Sequence, residues 1–450
     1  MPPATDRVRS NRPNVLILFS DQQRWDTLGA NGSPMDLTPN LDRLARQGTR
    51  FLLPITNQPV CAPARACLLT GQYATTHGVW RNGFGLQGTE QTLASCFGGA
   101  GYQTGYVGKW HLAPREAGPG TVPERHRGGF RDFWEAANVL EFTSQPFETV
   151  MFDGQGQEVR PPGYRVDACT DRLLAGIRQF ASQDAPFFAM VSYLEPHHQN
   201  DVDRYVPPEG YAERYADPFV PQDLRPLPGA WQTHLPGYYG CIRRLDENVG
   251  RIMATLEELG IADNTIVAYT ADHGCHFRTR NQEYKRSCHD ASLRIPLVMW
   301  GPGFNGRQVV PEPVGLVNLA PTLLDAAGLP VPETMQARSM LPLVRREAAD
   351  WQEETFVQIS ESTTGRAIRS ERWTYAVAAP EGTSRTPASD EYVETHLYDN
   401  FADPFQHVNL LGRERYRDVA AAQRARLTER MQQAGESLPT IRPWAGQTPA

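Results

Sequence analysis

Val15-Leu16-Ile17-Leu18-Phe19, closed by Ser20-Asp21-Gln22-Gln23, is the first clear strand signal of the chain. Five apolar residues in a row, without alternation, describe a strand covered on both faces, as in a parallel sheet between two helical layers. In such sheets ligands gather at the carboxyl ends of the strands, which puts Asp21 where chemistry is expected. The pattern recurs. Residues 102–107 lead into Gly108-Lys109-Trp110-His111, and 187–191 lead into Glu195-Pro196-His197-His198. Residues 265–270 run into Ala271-Asp272-His273-Gly274, and 295–300 form a fifth strand.

Helices are expected between them. Thr38 reads as an N-cap, Pro39 as the first turn, Leu41, Leu44 and Ala45 as the apolar stripe, and Gly48 as the stop. Residues 241–259 repeat Ile242, Leu245, Val249, Ile252, Met253 and Leu256 at helical spacing. The fold class is therefore α/β, with a large mixed, mostly parallel sheet flanked by helices. From about residue 350 the pattern shortens to strands at 355–359, 367–369, 373–377 and 396–398, then a helix at 415–433. This predicts a smaller C-terminal α+β domain with a short antiparallel sheet. The expected division is a flexible N-terminus at 1–12, a catalytic domain at 13–348 and the smaller domain at 349–450. Segments 112–165, rich in Gly, Pro and charge, and 200–237, rich in Pro and aromatics, read as long loops over the site.

The chain has 450 residues, 40% of them hydrophobic and 21% charged, with a net charge of −7. No basic block appears, which argues against a nucleic-acid surface. Residues 1–13 lack the apolar core of a signal peptide and no apolar run is long enough to span a bilayer, so a cytoplasmic, membrane-free protein is expected. Seven scattered cysteines form no disulfide framework, in keeping with a reducing compartment. Cys275-His276 and Cys288-His289 do not have the spacing of zinc fingers or ribbons, and Cys67 and Cys96 read as core thiols.

Cys61-Ala62-Pro63-Ala64-Arg65, continuing into Ala66-Cys67-Leu68-Leu69-Thr70-Gly71, places a reactive side chain at the mouth of a helix. The unpaired N–H groups of a helix N-terminus favour anions, and the Arg65 fork suits a sulfate or phosphate. Together with Asp21-Gln22, Gly108-Lys109-Trp110-His111, Pro196-His197, Asp272-His273-Gly274 and Lys285, this stretch resembles the type I sulfatases of the alkaline-phosphatase-like superfamily. The resemblance continues through Leu69-Thr70-Gly71-Gln72-Tyr73, Leu245-Asp246-Glu247-Asn248, Arg294-Ile295-Pro296-Leu297 and Leu397-Tyr398-Asp399, nearly the whole chain.

The resemblance implies that Cys61 is oxidised to formylglycine by a formylglycine-generating enzyme, directed by Pro63 and Arg65. The hydrated aldehyde then hydrolyses a small sulfate ester, for which a carbohydrate is favoured. Asp21, Gln22, Asp272, His273 and residue 61 would hold one divalent metal ion. Calcium is usual in the family, but Gln22 stands where a second carboxylate is common and His273 where an asparagine is common, so manganese or magnesium is an alternative. Lys109 and Lys285 would hold sulfate oxygens, Lys285 or His197 would protonate the leaving group, and His111 would act as base. Arg65 would anchor the helix, and Asn82 and His289 would touch the substrate. His198 competes with His197 for its place. A phosphonate monoester or phosphodiester hydrolase and a non-catalytic anion-binding relative are the competing readings. The sequence leaves self-association open.

Overall fold

Strand formation at the N-terminus follows from two apolar layers that meet at one strand. β1 (Asn14–Ser20) sends Val15, Ile17 and Phe19 into one hydrophobic cluster and Leu16 and Leu18 into another, on the opposite face. Period-two alternation with both faces covered produces the unbroken apolar run. The structure, a computed structural model, describes residues 12–88, 90–347, 350–380, 386–444 and 446. The expected flexible N-terminus, Arg12 apart, and the expected junction at 348–349 lie outside the described residues.

In chain order the further strands of the large sheet are β2 (Thr49–Ile55), β3 (Gln103–Lys109), β4 (Phe133–Ala137), β5 (Met151–Asp153), β6 (Glu158–Val159), β7 (Phe187–Ser192), β8 (Thr265–Ala271), β9 (Leu297–Trp300) and β10 (Gln308–Gly315). Their spatial order is β10-β2-β9-β8-β1-β7-β3-β4-β5-β6. The run β8-β1-β7-β3-β4 is parallel throughout, β9 lies antiparallel between β8 and β2, and β5 and β6 add an antiparallel edge. The sheet is thus mixed and mostly parallel, as expected. Pro296 falls just before β9, which begins at Leu297 rather than 295.

Two expected loop regions are more structured than their composition suggests. Residues 112–165 contain β4, β5, β6 and a short helix, Leu140–Thr143. Three of these elements are too short to give a readable period. The helix expected at 241–259 begins at Trp231 and carries Pro236 inside its second turn. A proline there lacks the N–H that would close one turn, which is why sequence punctuation misplaces the start. β10 went unseen for a similar reason: Pro311 and Pro313 sit in an edge strand whose register shifts between Val310 and Pro313.

The smaller sheet comprises β11 (Glu354–Ile359), β12 (Gly365–Ser370), β13 (Trp373–Ala378), β14 (Glu391–Asp399) and β15 (Thr440–Arg442), antiparallel except for the last pair. One face packs Phe356, Ile368 and Tyr375 under Leu427 and Met431 of the helix Arg417–Gln433. The other packs Val357, Ile359, Ala367 and Ala376 against Leu53, Ile55 and Leu293 of the large body. A bidentate ion pair crosses this seam, Arg369 Nε and Nη2 to Asp290 Oδ1 and Oδ2, both at 2.7 Å. Among the described residues no helix is long and apolar enough to cross a membrane.

Arg369 is buried, and breaking a buried pair by removing one partner costs about 3–5 kcal/mol. Asp290→Ala is therefore expected to lower the urea midpoint of unfolding clearly. Burial pushes the Asp290 carboxyl up, but Arg369 outweighs it and holds it below the usual carboxylate range. Its stabilisation is then complete above the unfolded carboxylate value and lost as pH falls through the depressed folded one. Acid titration of the wild type and of Asp290→Ala should converge below that point.

Candidate active site

Four neighbouring parallel strands, β8, β1, β7 and β3, end on one side of the sheet and deliver Asp272, Asp21, His197 and Lys109. Gly108 makes the delivery possible on β3. Its φ is +103°, and a Cβ there would lie 2.1 Å from the Ser192 carbonyl oxygen of β7. Only glycine permits that approach.

The helix Cys61–Thr70 follows β2 and is buried along its whole length. Its N-cap, Val60, has no side chain able to cap. Asn82 substitutes, its Oδ1 accepting from the Ala62 N–H at 3.1 Å, and so satisfies one of the orphan donors. One turn in, Arg65 donates through Nη2 to Asp21 Oδ2 at 3.0 Å, and through Nη1 to the Lys109 carbonyl at 3.0 Å and Ser192 Oγ at 2.5 Å. It also lies 3.5 Å from Asp272 Oδ2. The arginine ties the helix to three strand ends.

Lys109 is fully buried and donates at 2.8 Å to both Asp21 Oδ2 and Glu141 Oε1. Burial pulls its ammonium down, but Asp21, Cys61 and Glu141 raise it well above the ordinary value, so it is a fixed cation. Glu141 was not anticipated. It lies on the Leu140–Thr143 helix inside a segment read as loop, and nothing in its local sequence marks a partner 32 residues away.

Asp21, Cys61, Asp272 and His273 place one potential ligand atom each within 4.8 Å of the others, all buried. Asp272 Oδ1 accepts from the backbone N–H of Gln22 and of His273 at 2.9 Å, leaving Oδ2 without a hydrogen bond. The Gln22 side-chain amide donates to the Tyr205 hydroxyl at 2.8 Å, and its Oε1 is likewise without a partner. His273 Nδ1 faces the Gly274 carbonyl oxygen at 2.9 Å, so that nitrogen carries the proton and Nε2 keeps its lone pair. Burial pushes the Asp21 carboxyl up, but Lys109, His197, Lys285 and Arg65 bring it well down; burial and Asp21 together push Asp272 up to about 7. Two buried carboxylates competing for charge, with the unpartnered Asp272 Oδ2 and an imidazole nitrogen that here faces the Lys285 ammonium at 3.0 Å, fit a divalent cation.

Cys61 Sγ lies 2.8 Å from Lys285 Nζ, 3.4 Å from His273 Nε2 and 3.7 Å from Asp21 Oδ1. Burial and Asp21 raise its thiol, but Lys109, Lys285 and His273 prevail and lower it well below the ordinary value. Cys61 is the floor of a cavity of about 580 Å³, also lined by Asn82, His111, Glu141, His197 and Lys285. His111 has a φ of 60° and a buried Nδ1 without a partner. His197 lines the cavity, whereas His198 stacks on it at 4.4 Å and packs on Tyr284 on its other side.

His289 is not brought to this cavity. Its Nε2 meets the Tyr398 hydroxyl at 3.0 Å, and it groups with Cys288 and His396, a clustering that no spacing rule for adjacent Cys-His pairs foresees. Cys275 pairs with Tyr205 at 3.4 Å, and Cys67 lies 3.4 Å from His77 in the core. Arg81 lies against the contacting rings of Trp80 and Phe84 and does not line the cavity.

An ulvan-active sulfatase from Formosa agariphila is 30% identical over 95% of this chain and 82% of its own. An N-acetylglucosamine-6-O-sulfatase from Bacteroides thetaiotaomicron is 24% identical over 90% of this chain and 84% of its own. Among solved structures, a phosphonate monoester hydrolase from Agrobacterium radiobacter superposes with a TM-score of 0.72 at 24% identity, covering 94% of this chain and 96% of that one; at that identity the likeness is one of fold. The C-terminal model of N-sulphoglucosamine sulphohydrolase matches residues 282–433. The sulfatase family model matches residues 13–329, more than half of the chain, and the chain belongs to the sulfatase family.

Proposed function

We propose that the protein hydrolyses a sulfate monoester, by preference one on a carbohydrate, to an alcohol and inorganic sulfate, with residue 61 as formylglycine. The observation that carries this is the position of Cys61 Sγ. It sits on the floor of an open cavity, 2.8 Å from a buried ammonium and 3.7 Å from a buried carboxylate at a strand end. The side-chain heteroatom of residue 61 marks where the hydroxyls of the hydrated aldehyde would lie.

One hydroxyl attacks sulfur, the S–O bond to the alcohol breaks, and the departing oxygen takes a proton. The second hydroxyl then loses its proton as its oxygen forms the C=O bond, and the bond to the sulfated oxygen breaks to release sulfate. Covalent catalysis of this kind replaces one hard step by two easier ones. Lys285 is the acid the geometry favours. Cys61, Asp21 and Asp272 raise its ammonium against the effect of burial, so it carries a proton to give. Burial and His198 depress the His197 imidazole well below its ordinary value, so His197 serves better as a neutral hydrogen-bonding partner for sulfate. His111, which lines the cavity with its Nδ1 unpartnered, would take the proton in the second step. Lys109 and Arg65 hold Asp21 and the helix in place.

Asp21, Asp272, Gln22 and His273 would hold the divalent ion. When bound, it supplies Lewis-acid polarisation of a sulfate oxygen and favours the deprotonated hydroxyl. Calcium is the first assignment, with manganese or magnesium as alternatives on account of the amide and imidazole. The carbohydrate preference is supported by relatives named for ulvan and for N-acetylglucosamine 6-O-sulfate. A phosphonate monoesterase is the second reading, supported by the neighbour of that name and by the histidine in the metal set.

Peptide mass mapping of protein co-produced with a formylglycine-generating enzyme should find the aldehyde at residue 61, and Cys61→Ala should lower sulfate release to background. Paired assays on an aryl sulfate and an aryl phosphonate should favour the sulfate; the opposite preference rejects this reading. Chelation should abolish turnover. Re-addition of calcium, manganese and magnesium in parallel should identify the ion, and Gln22→Asp should shift the ranking towards calcium by adding a hard anionic oxygen.

A further inference from the structure

The cavity carries one cation that is engaged neither in the chemistry at residue 61 nor in an ion pair among the described residues. Arg115 is exposed on its wall, and among the described residues its guanidinium makes no hydrogen bond or ion pair. The other cations lining the cavity are committed. Lys285 contacts Cys61 and His273, and Arg286 is paired with both Glu283 and Glu361. Glu141, the carboxylate among the lining residues, is already paired with Lys109. In a chain of net charge −7, the mouth of this cavity thus holds uncompensated positive charge.

Phe142 lines the same cavity and is 67% exposed. It follows Glu141 directly on the Leu140–Thr143 helix, so the ion pair that anchors Glu141 to Lys109 also holds the backbone that carries the ring. The two walls are tied by backbone. Val139 N–H donates to the Pro119 carbonyl at 2.8 Å, Asn138 N–H donates to that of Gly120 at 2.9 Å, and Arg115 N–H donates to that of Gly83 at 3.2 Å. Asn138 Nδ2 adds a bond to the Gly118 carbonyl at 2.8 Å. A large apolar side chain left in water on an element braced this well is positioned, not frayed.

We propose that Arg115 and Phe142 form a saccharide subsite, in which the ring packs on the apolar face of a sugar and the guanidinium pairs with a second acidic group, sulfate or carboxylate, besides the scissile ester. The substrate is then a polyanionic saccharide rather than a neutral sugar bearing one sulfate. This rests on the sulfatase reading of the cavity. A planar guanidinium accepts either anion bidentately, and aromatic faces suit the C–H side of a pyranose.

The test is competition against turnover of 4-nitrophenyl sulfate by the full chain carrying the aldehyde. The competitors come in matched pairs: a sulfated disaccharide containing a hexuronic acid with its carboxyl-reduced twin, and a disulfated with a monosulfated glucosamine. At least one pair should show the more anionic member inhibiting about tenfold better, as expected for one charge-assisted hydrogen-bonded contact. The pair that responds identifies the acidic group. In Arg115→Gln the two members should inhibit alike, and Arg115→Lys should keep part of the preference. Phe142→Ala should weaken both members about fivefold and leave their ratio unchanged. Equal inhibition within both pairs by the wild type, a preference that survives Arg115→Gln, or no competition by any saccharide overturns the subsite. An aldehyde-bearing wild type that releases sulfate neither from the aryl sulfate nor from any of the sulfated saccharides overturns the sulfatase reading itself, a separate result; release from the saccharides alone moves the same paired comparison to their own turnover.

Discussion

Lys109 is the residue on which the site depends. A lysine with no solvent exposure must be paid for, and here Asp21 and Glu141 do so from opposite sides at 2.8 Å each. The ammonium fixes one oxygen of Asp21 and leaves the other turned towards Cys61 and His273. Arg65 repeats the arrangement from the helix, holding the same Asp21 oxygen while it binds the end of β3 and the Ser192 hydroxyl. Fixed cations behind the carboxylates therefore orient the open lone pairs in front of them. That is the preorganisation a site needs if charge is to develop on a bound sulfate without the protein having to reorganise.

Much of this was legible in the chain because parallel strands write their ends plainly. β1, β7 and β8 are short, mostly apolar runs and β3 a mixed one with Tyr106 and Val107 at its centre, and each runs into an ionisable residue, so Asp21, Lys109, His197 and Asp272 could be named before any geometry was known. Cys61 and Arg65 were legible through the proline-marked mouth of their helix. What stayed hidden depended on distance. Glu141 comes to the site from a segment with no period of its own, and Asn82, named from the sequence only as a substrate contact, also caps the helix; both roles exist only through partners brought in by the fold, Lys109 for one and the Ala62 N–H for the other. His289 misled for the converse reason: it is four residues from Lys285 in sequence, yet the short helix Asp290–Leu293 and the smaller sheet draw it towards Tyr398 and His396.

The smaller sheet supports the site from behind without lining its cavity. Glu361, just beyond β11, accepts the Asn82 backbone N–H at 2.6 Å and pairs with Arg286. Asn82 in turn caps the helix that begins at Cys61. A chain of two hydrogen bonds thus runs from the C-terminal sheet to Ala62, the neighbour of the residue at the cavity floor, beside the Arg369–Asp290 pair and the apolar seam at Leu53, Ile55, Val357 and Ile359. The start of the helix at residue 61 is thus braced by contacts from the smaller sheet.

Cys61 is only 2% exposed, the first residue of a helix buried along its whole length. On the proposed chemistry, an enzyme that oxidises this thiol must take hold of the flanking Pro63 and Arg65 as well, and in the finished molecule neither can be grasped. On that chemistry the conversion would belong to the life of the chain before it collapses. Biogenesis would then have an order, oxidation first and compaction second, and a molecule that folded too early would be left without its nucleophile for good.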